Sequence, residues 1–272
     1  MKRILITILG LSFAFASCEK SSDEPMVEWT FEALQTKASL SGSGAFSWAP
    51  GDEIAVWNGT ASAFVTFSTP TGSGRFTAQA PANAHFTQEA YYPASAATGL
   101  GAVLLSSEYS LSDLSSGKGM PMFAAVNDGS NILNFKHLCA FVIISVKDIP
   151  AEATQIHISS STVSLSGEFE ILTASGEKII CAQPGSGSVT IPLSLSQTQD
   201  VTFTIPLPVG EYALSCSVQG TSTSVQTDQI AFQRAHLYAL SSIDAGGGHE
   251  TLDGFAPACE VYELANDDDN WE

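Results

Sequence analysis

From residue 27 onward, apolar and polar positions alternate with a period of two. Val201, Phe203, Ile205, Leu207 and Val209 alternate with Thr202, Thr204, Pro206 and Pro208, the pattern of a strand with one face against a core. Val189, Ile191, Leu193 and Leu195 alternate with Thr190, Pro192 and Ser194 in the same way, and Tyr212, Leu214, Cys216 and Val218 make a third row. Proline cannot donate to a strand ladder, so the first two rows are expected at sheet edges. Turn chemistry separates the rows: Pro50-Gly51-Asp52, Gly72-Ser73-Gly74, Asn127-Asp128-Gly129, Pro184-Gly185-Ser186-Gly187 and Val209-Gly210. Short alternating strands at such intervals, with no helical period long enough for a core helix, predict an all-β sandwich architecture. Residues 94–116 are the least regular stretch and are expected to form a long loop with one helical turn.

The segment 131–147 is different. It is apolar at both parities from Leu138 to Ile144, which predicts a strand covered on both faces. Asp148-Ile149-Pro150 breaks the run, and a domain boundary is expected there. The resulting units, 27–148 and 149–245, are each near the usual domain size. Beyond them, residues 246–272 form a tail that opens on Gly246-Gly247-Gly248 and carries a short apolar stretch, Phe255 to Leu264.

The N-terminus follows another rule. Met1-Lys2-Arg3 precedes an apolar run from Ile4 to Ala16, too short for a membrane span of roughly 20 residues. A basic start, a short apolar stretch and small residues before a cut make a secretory signal peptide, residues 1–17. Phe15-Ala16-Ser17-Cys18 resembles the lipobox of bacterial lipoproteins, with Phe15 where Leu is usual. The resemblance implies cleavage between Ser17 and Cys18 and acylation of the Cys18 thiol. Buried acyl chains contribute about 0.8 kcal/mol per methylene, and several chains anchor stably where one does not. Residues 18–26 then read as a tether. Asp23-Glu24 within it resembles surface-export signals of some Gram-negative lipoproteins, and a plainly solvated tether is the other reading.

Charge narrows the partners. The net charge is −18 and becomes −20 once Lys2 and Arg3 are removed with the signal. A surface that acidic repels nucleic acid and anionic headgroups. Only Arg3, Arg75 and Arg234 are arginines, so no basic patch is available. Beside Cys18 the chain has Cys139, Cys181, Cys216 and Cys259, at spacings that match no metal pattern. Cys139 reads as a small buried hydrophobe. Cys181–Cys216 is one disulfide that an exported chain allows, and the sequence leaves the connectivity open.

No motif for catalysis, metal or cofactor stands out, and none of the three is expected. The nucleophile elbow, the P-loop and His-Glu-x-x-His are all missing. His85, His137, His157, His236 and His249 are scattered, and His137 and His236 are read as packing residues. Asp52 and Glu53 are adjacent in a strand and face opposite ways, which excludes a working carboxylate pair. Asn58-Gly59-Thr60 fits a glycosylation sequon but is read as a turn. Asp267-Asp268-Asp269 supplies too few ligands for calcium, which takes six to eight oxygens.

Several segments in this order resemble the fimbrillin-like family of pilus subunits and surface lipoproteins of anaerobic Gram-negative bacteria. They are Thr36-Lys37-Ala38-Ser39-Leu40; Phe46-Ser47-Trp48-Ala49-Pro50-Gly51-Asp52-Glu53-Ile54-Ala55-Val56-Trp57; Ala90-Tyr91-Tyr92-Pro93; Leu133 to Ala140; and Phe232-Gln233-Arg234-Ala235-His236-Leu237-Tyr238. The resemblance spans roughly residues 27–243. It implies two tandem transthyretin-like β-sandwich domains in a structural or adhesive protein without enzymatic activity. The implied partners are outer-membrane lipid through Cys18, other pilus subunits by β-strand addition, and a host or bacterial surface receptor. In polymerising members a trypsin-like protease removes the lipidated segment with the first strand, and a C-terminal segment of the next subunit fills the groove. That cut usually follows an Arg. Here only Lys20 and Lys37 lie between Cys18 and Trp48, so Lys37 is the candidate processing site, and retention of the lipid as an anchor is the favoured expectation. The alternative function is a glycan-binding outer-membrane surface lipoprotein, which needs exposed Trp or Tyr to stack on sugars.

Overall fold

A computed structural model describes residues 24–33, 48–115, 119–245 and, for the backbone alone, 260–263. The chain first lays down β1 (Met26–Ala33), β2 (Asp52–Asn58), β3 (Ala63–Thr69), β4 (Arg75–Pro81) and β5 (Phe86–Tyr92). A 3₁₀ turn at Ala94–Ala96 leads to β6 (Ala97–Gly99), β7 (Ala102–Leu105) and the one-turn helix α1 (Leu111–Ser115). Next come β8 (Met122–Val126), β9 (Ile132–Leu133), β10 (Lys136–His137) and β11 (Ala140–Ile149). They are followed by β12 (Gln155–Ser159), β13 (Val163–Ser164), β14 (Gly167–Ala174), β15 (Glu177–Ile180), β16 (Gln183–Pro184) and β17 (Val189–Pro192). The remainder is β18 (Gln199–Leu207), β19 (Gly210–Tyr212), β20 (Ser215–Gln219), β21 (Ser224–Gln226), β22 (Ile230–Phe232), β23 (His236–Ala239), β24 (Ile243–Asp244) and β25 (Glu260–Glu263). The protein is all-β, as its period-two rows predict. The expected helical turn is α1, and the rest of the stretch expected to be loop contains two strands.

Among the described residues the largest sheet runs β10-β8-β5-β2-β3-β4-β1-β9. Its end strands β10 and β9 are separated in sequence only by Asn134 and Phe135, so the sheet rolls until its ends are neighbours. The roll encloses Phe31, Trp48, Phe67, Phe76, Phe86, Tyr92 and Phe135. Trp48 meets Phe76 edge to face at 4.9 Å and Phe135 at 5.7 Å, the arrangement that ring quadrupoles favour.

A second sheet, β18-β11-β23-β25, is built around β11, with β24 also paired to β11. Ala140, Val142, Ile144 and Val146 point into one core with Ile156, Phe203 and Ile205. Phe141 packs on the other face with Met120 and Leu237. Both faces are covered, as the double-parity pattern predicts. β18 lies at the edge of this sheet and β17 at the edge of the sheet β17-β12-β20-β21, where their prolines put them.

Strand pairing crosses residue 148. β11 begins at Ala140 and runs to Ile149, and its strand partners β18, β23 and β24 come from later residues. The polar break is a bulge: the register shifts between Val146 and Ile149, and Asp148 has φ 52°, a left-handed conformation that Asp tolerates better than most residues. The two stretches are also sewn together. β7 pairs with β14, and Tyr91, Val103, Leu105, Phe123, Leu138, Cys139, Phe169 and Ile180 share one apolar cluster. Tyr109 and Leu114, from the irregular stretch, insert into the core around β11.

Candidate assembly site

β1 is the first described strand, and it lies between β4 and β9. It pairs antiparallel with β4 along seven positions, from Met26↔Pro81 to Glu32↔Arg75. On its other side, among the described residues, it meets β9, in parallel, only at Glu32 and Ala33. Phe31 is buried against Phe67 and Phe86, with centroids at 5.0 Å and 5.6 Å. Trp29 stands on Phe86 at 5.1 Å and donates its Nε1–H to the Pro81 carbonyl at 3.3 Å. Removing β1 would therefore open an aromatic groove beside β4.

The Pro50-Gly51-Asp52 turn anchors the next strand. Asp52 is 2% exposed; its carboxylate accepts from the Ala49 N–H at 2.7 Å and from the Tyr92 hydroxyl at 3.2 Å. Burial first, and then Asp52, pushes the Tyr92 hydroxyl far above its ordinary range. Glu53 is exposed, so the two acids face opposite ways and Asp52 is a turn anchor. Gly74 closes the same corner. It has φ 80°, and a Cβ there would stand 3.0 Å from both the Ala33 carbonyl oxygen and Trp48 Cδ1, so only glycine suits the place where the β3–β4 turn meets β1 and Trp48.

The C-terminal segment pairs within its own chain. Glu260–Glu263 of β25 runs antiparallel along His236–Ala239 of β23. Just before β23, Arg234 is 7% exposed and reaches back to the loop-proximal end of β15. Its Nε donates to Glu177 at 3.0 Å, its Nη2 to the other Glu177 oxygen at 3.2 Å, and its Nη1 to the His137 carbonyl at 3.4 Å. His137 packs edge-on to Phe141 at 4.8 Å. Burial, reinforced by the nearby Arg234 charge, pushes the His137 imidazole down to about 3. Sequence reading took His137 as a packing residue and missed the Arg234–Glu177 pair. A lone arginine set among Phe232, Ala235 and Leu237 was the available signal.

The candidate residues Ser17, Cys18 and Lys37 lie outside the described residues, as do Cys259 and the Asp267–Asp269 run. Cys139, Cys181 and Cys216 are free, so the Cys181–Cys216 bridge is not formed. Burial raises the Cys139 thiol well above its usual range and pushes Cys216 up to about 12, leaving both as inert core atoms. The sequon Asn58-Gly59-Thr60 is a turn in which the buried Asn58 amide oxygen accepts from the Thr60 and His85 N–H groups. Trp29, Trp48 and Trp57 each pack on another ring. Among the described residues no group of three or more His, Cys, Asp or Glu is placed to hold a metal ion.

No family model matches the chain, and no curated protein matches it. Solved structures do match. A candidate cell adhesion protein from Bacteroides ovatus is 14% identical, with 87% of this chain and 97% of that one covered and a TM-score of 0.51. The tip fimbrial protein Mfa3 from Porphyromonas gingivalis, with C-terminal truncation, is 10% identical over 88% of this chain and 100% of that one, with a TM-score of 0.39. A fimbrial protein from Bacteroides ovatus is 14% identical with a TM-score of 0.34, and the match covers 81% of this chain and 48% of that one. The chain has the all-β fold of the first of them.

Proposed function

We propose that this chain is a lipid-anchored, surface-exposed structural or adhesive protein of the fimbrillin-like kind, serving a fimbrium as anchor, tip or minor component. The observation that carries the reading is the fold shared, along nearly the whole of both chains, with a candidate cell adhesion protein. The lipobox-like Phe15-Ala16-Ser17-Cys18 supports the anchor. So does β1, which begins eight residues beyond Cys18 at Met26 and is packed into the aromatic core, so that an uncut tether would tie the folded body to the bilayer. In this reading residues 1–17 are removed, 18–26 are the tether, and two transthyretin-like sandwiches take up 27–148 and 149–245. The tail beyond Ala245 is a strand donor or a cap on its own sheet. Partners are outer-membrane lipid, other subunits and a surface receptor, with no catalysis.

The test is chemical. Mass spectrometry of the native N-terminus is expected to find acylated Cys18, and Cys18→Ser is expected to release the protein from membranes. A Cys18→Ser protein that still sediments with outer membranes after detergent-free washing would refute the anchor. A mature N-terminus at Ala38 would instead assign the chain to the processed, polymerising form.

A further inference from the structure

We propose that the outer edge of β1, from Met26 to Thr30, is a docking site for an extended strand of a partner protein. That strand would carry a basic residue opposite Glu28 and apolar residues on the core side. The proposal stands on strand geometry and is independent of the anchor.

In an antiparallel pair, alternate residues turn both N–H and C=O toward the partner, and those between turn them away. The phase in β1 is fixed at both ends. The Ala33 N–H donates to the Gly74 carbonyl at 2.8 Å, and the Pro25 carbonyl accepts from the Ala82 N–H at 2.9 Å. Odd positions therefore face β4. Even positions face the other way, as the Glu32 N–H shows by donating to the Asn131 carbonyl at 2.8 Å. β9 pairs only with Glu32 and Ala33, so the outward amides and carbonyls of Met26, Glu28 and Thr30 meet no strand among the described residues. An open ladder of this kind is a template for strand addition.

Side chains give the occupant its chemistry. Val27 and Trp29 belong to the core-facing parity, yet Val27 is 39% exposed and Trp29 half-buried; Ile132 on β9 is 45% exposed. Apolar surface is thus left uncovered along this edge, which asks for apolar residues on the inner face of an added strand. On the outer face Glu28 is exposed and stands opposite the neutral Gln79, whereas Glu32 has Arg75 across from it. Among the described residues Glu28 has no cross-strand cation. A second copy of β1, centred on the same edge, would set Glu28 against Glu28, and like charges directly opposite destabilise a strand pair.

The experiment uses the mature chain in detergent with two synthetic hexapeptides, Thr-Val-Lys-Val-Thr-Val and the same peptide with Glu in place of Lys. Amide hydrogen exchange of the free chain is expected to be faster at residues 26, 28 and 30 than at 27, 29 and 31. The Lys peptide is expected to slow the even-numbered amides, and the Glu peptide to bind about threefold or more weakly, the scale of one cross-strand charge pair. Glu28→Pro removes the outward N–H together with the Glu28 carboxylate, a change an edge strand tolerates, and is expected to abolish the effect. Glu28→Lys, which keeps the backbone intact, is expected to reverse the peptide preference. Protection of the even-numbered amides in the free chain would show the edge already occupied, by this chain or by a second copy, and would overturn the proposal. So would failure of the Lys peptide to bind, or binding that survives Glu28→Pro.

Discussion

Asp52 and Tyr92 show how single buried groups hold the first core. The carboxylate is a shared acceptor for the Ala49 N–H and the Tyr92 hydroxyl, and a buried acceptor that loses a donor costs about 1–3 kcal/mol. Tyr92→Phe is accordingly expected to lower stability by about 1–2 kcal/mol in urea titration, with the β content of circular dichroism unchanged. His137 makes a prediction with a sign. Its native pKa, near 3, lies below the unfolded value of about 6.5. Between these values the unfolded chain binds a proton that the native chain does not. The stability this histidine contributes is therefore complete above pH 6.5 and is lost as pH falls toward 3, at up to about 1.4 kcal/mol per pH unit. In His137→Phe that loss is expected to vanish, so the stability gap between wild type and variant should narrow from pH 7 to pH 4. A gap independent of pH would show that His137 takes up a proton in the native state.

Elements explain the next level. β11 draws its strength from being central: β18 on one side, β23 and β24 on the other, and apolar layers on both faces. Ile144→Ala is expected to cost about 2–5 kcal/mol, the range for large-to-small changes in a packed core, read as a shift in the urea midpoint. β18 and β17 lie at edges because their prolines cannot serve two neighbours. β25 is short, four residues against β23, and short ladders add little stability by themselves. Deleting residues 250–272 is therefore expected to leave the body folded, with a melting temperature within a few degrees of the full chain. Collapse of the fold on that deletion would show the tail to be an integral strand.

At the scale of the molecule, the shared cluster and the β7–β14 pairing join early and late residues into one apolar seam. Tyr91, Phe123 and Leu138 lie on one side of it and Phe169 and Ile180 on the other. A single cooperative calorimetric transition is expected, and a fragment 139–272, deprived of β7 and Tyr109, is expected to be unstable. Two separated transitions would show that the seam couples weakly. Assembly by strand exchange has its own test. Trypsin acting at Lys37 would have to free β1 from its seven-position ladder with β4 and from the rings of Phe67 and Phe86. Oligomer ladders on a non-denaturing gel after clean cleavage would favour a stalk role; a stable monomer would favour a lipid-retaining anchor.

The sequence by itself determined what depends on local pattern. Alternation set the strands, proline chose the edge strands, and Pro50-Gly51-Asp52 fixed a turn. The unbroken run at Leu138–Ile144 announced a strand buried on both faces. Each of these follows from side-chain period or backbone chemistry within a few residues. Tertiary structure decided what depends on partners distant in the chain. The polar break at Asp148 forms a bulge, because pairing with β18 continues past it. Residues 94–116 looked irregular and hold β7, whose partner lies more than sixty residues later. Arg234 and Glu177 became a pair only when β23 and β15 were brought together. That no described strand beyond β9 lies along the outer edge of β1 likewise appeared only with the register, since β9 is short and no alternation of side chains records where a neighbouring strand stops.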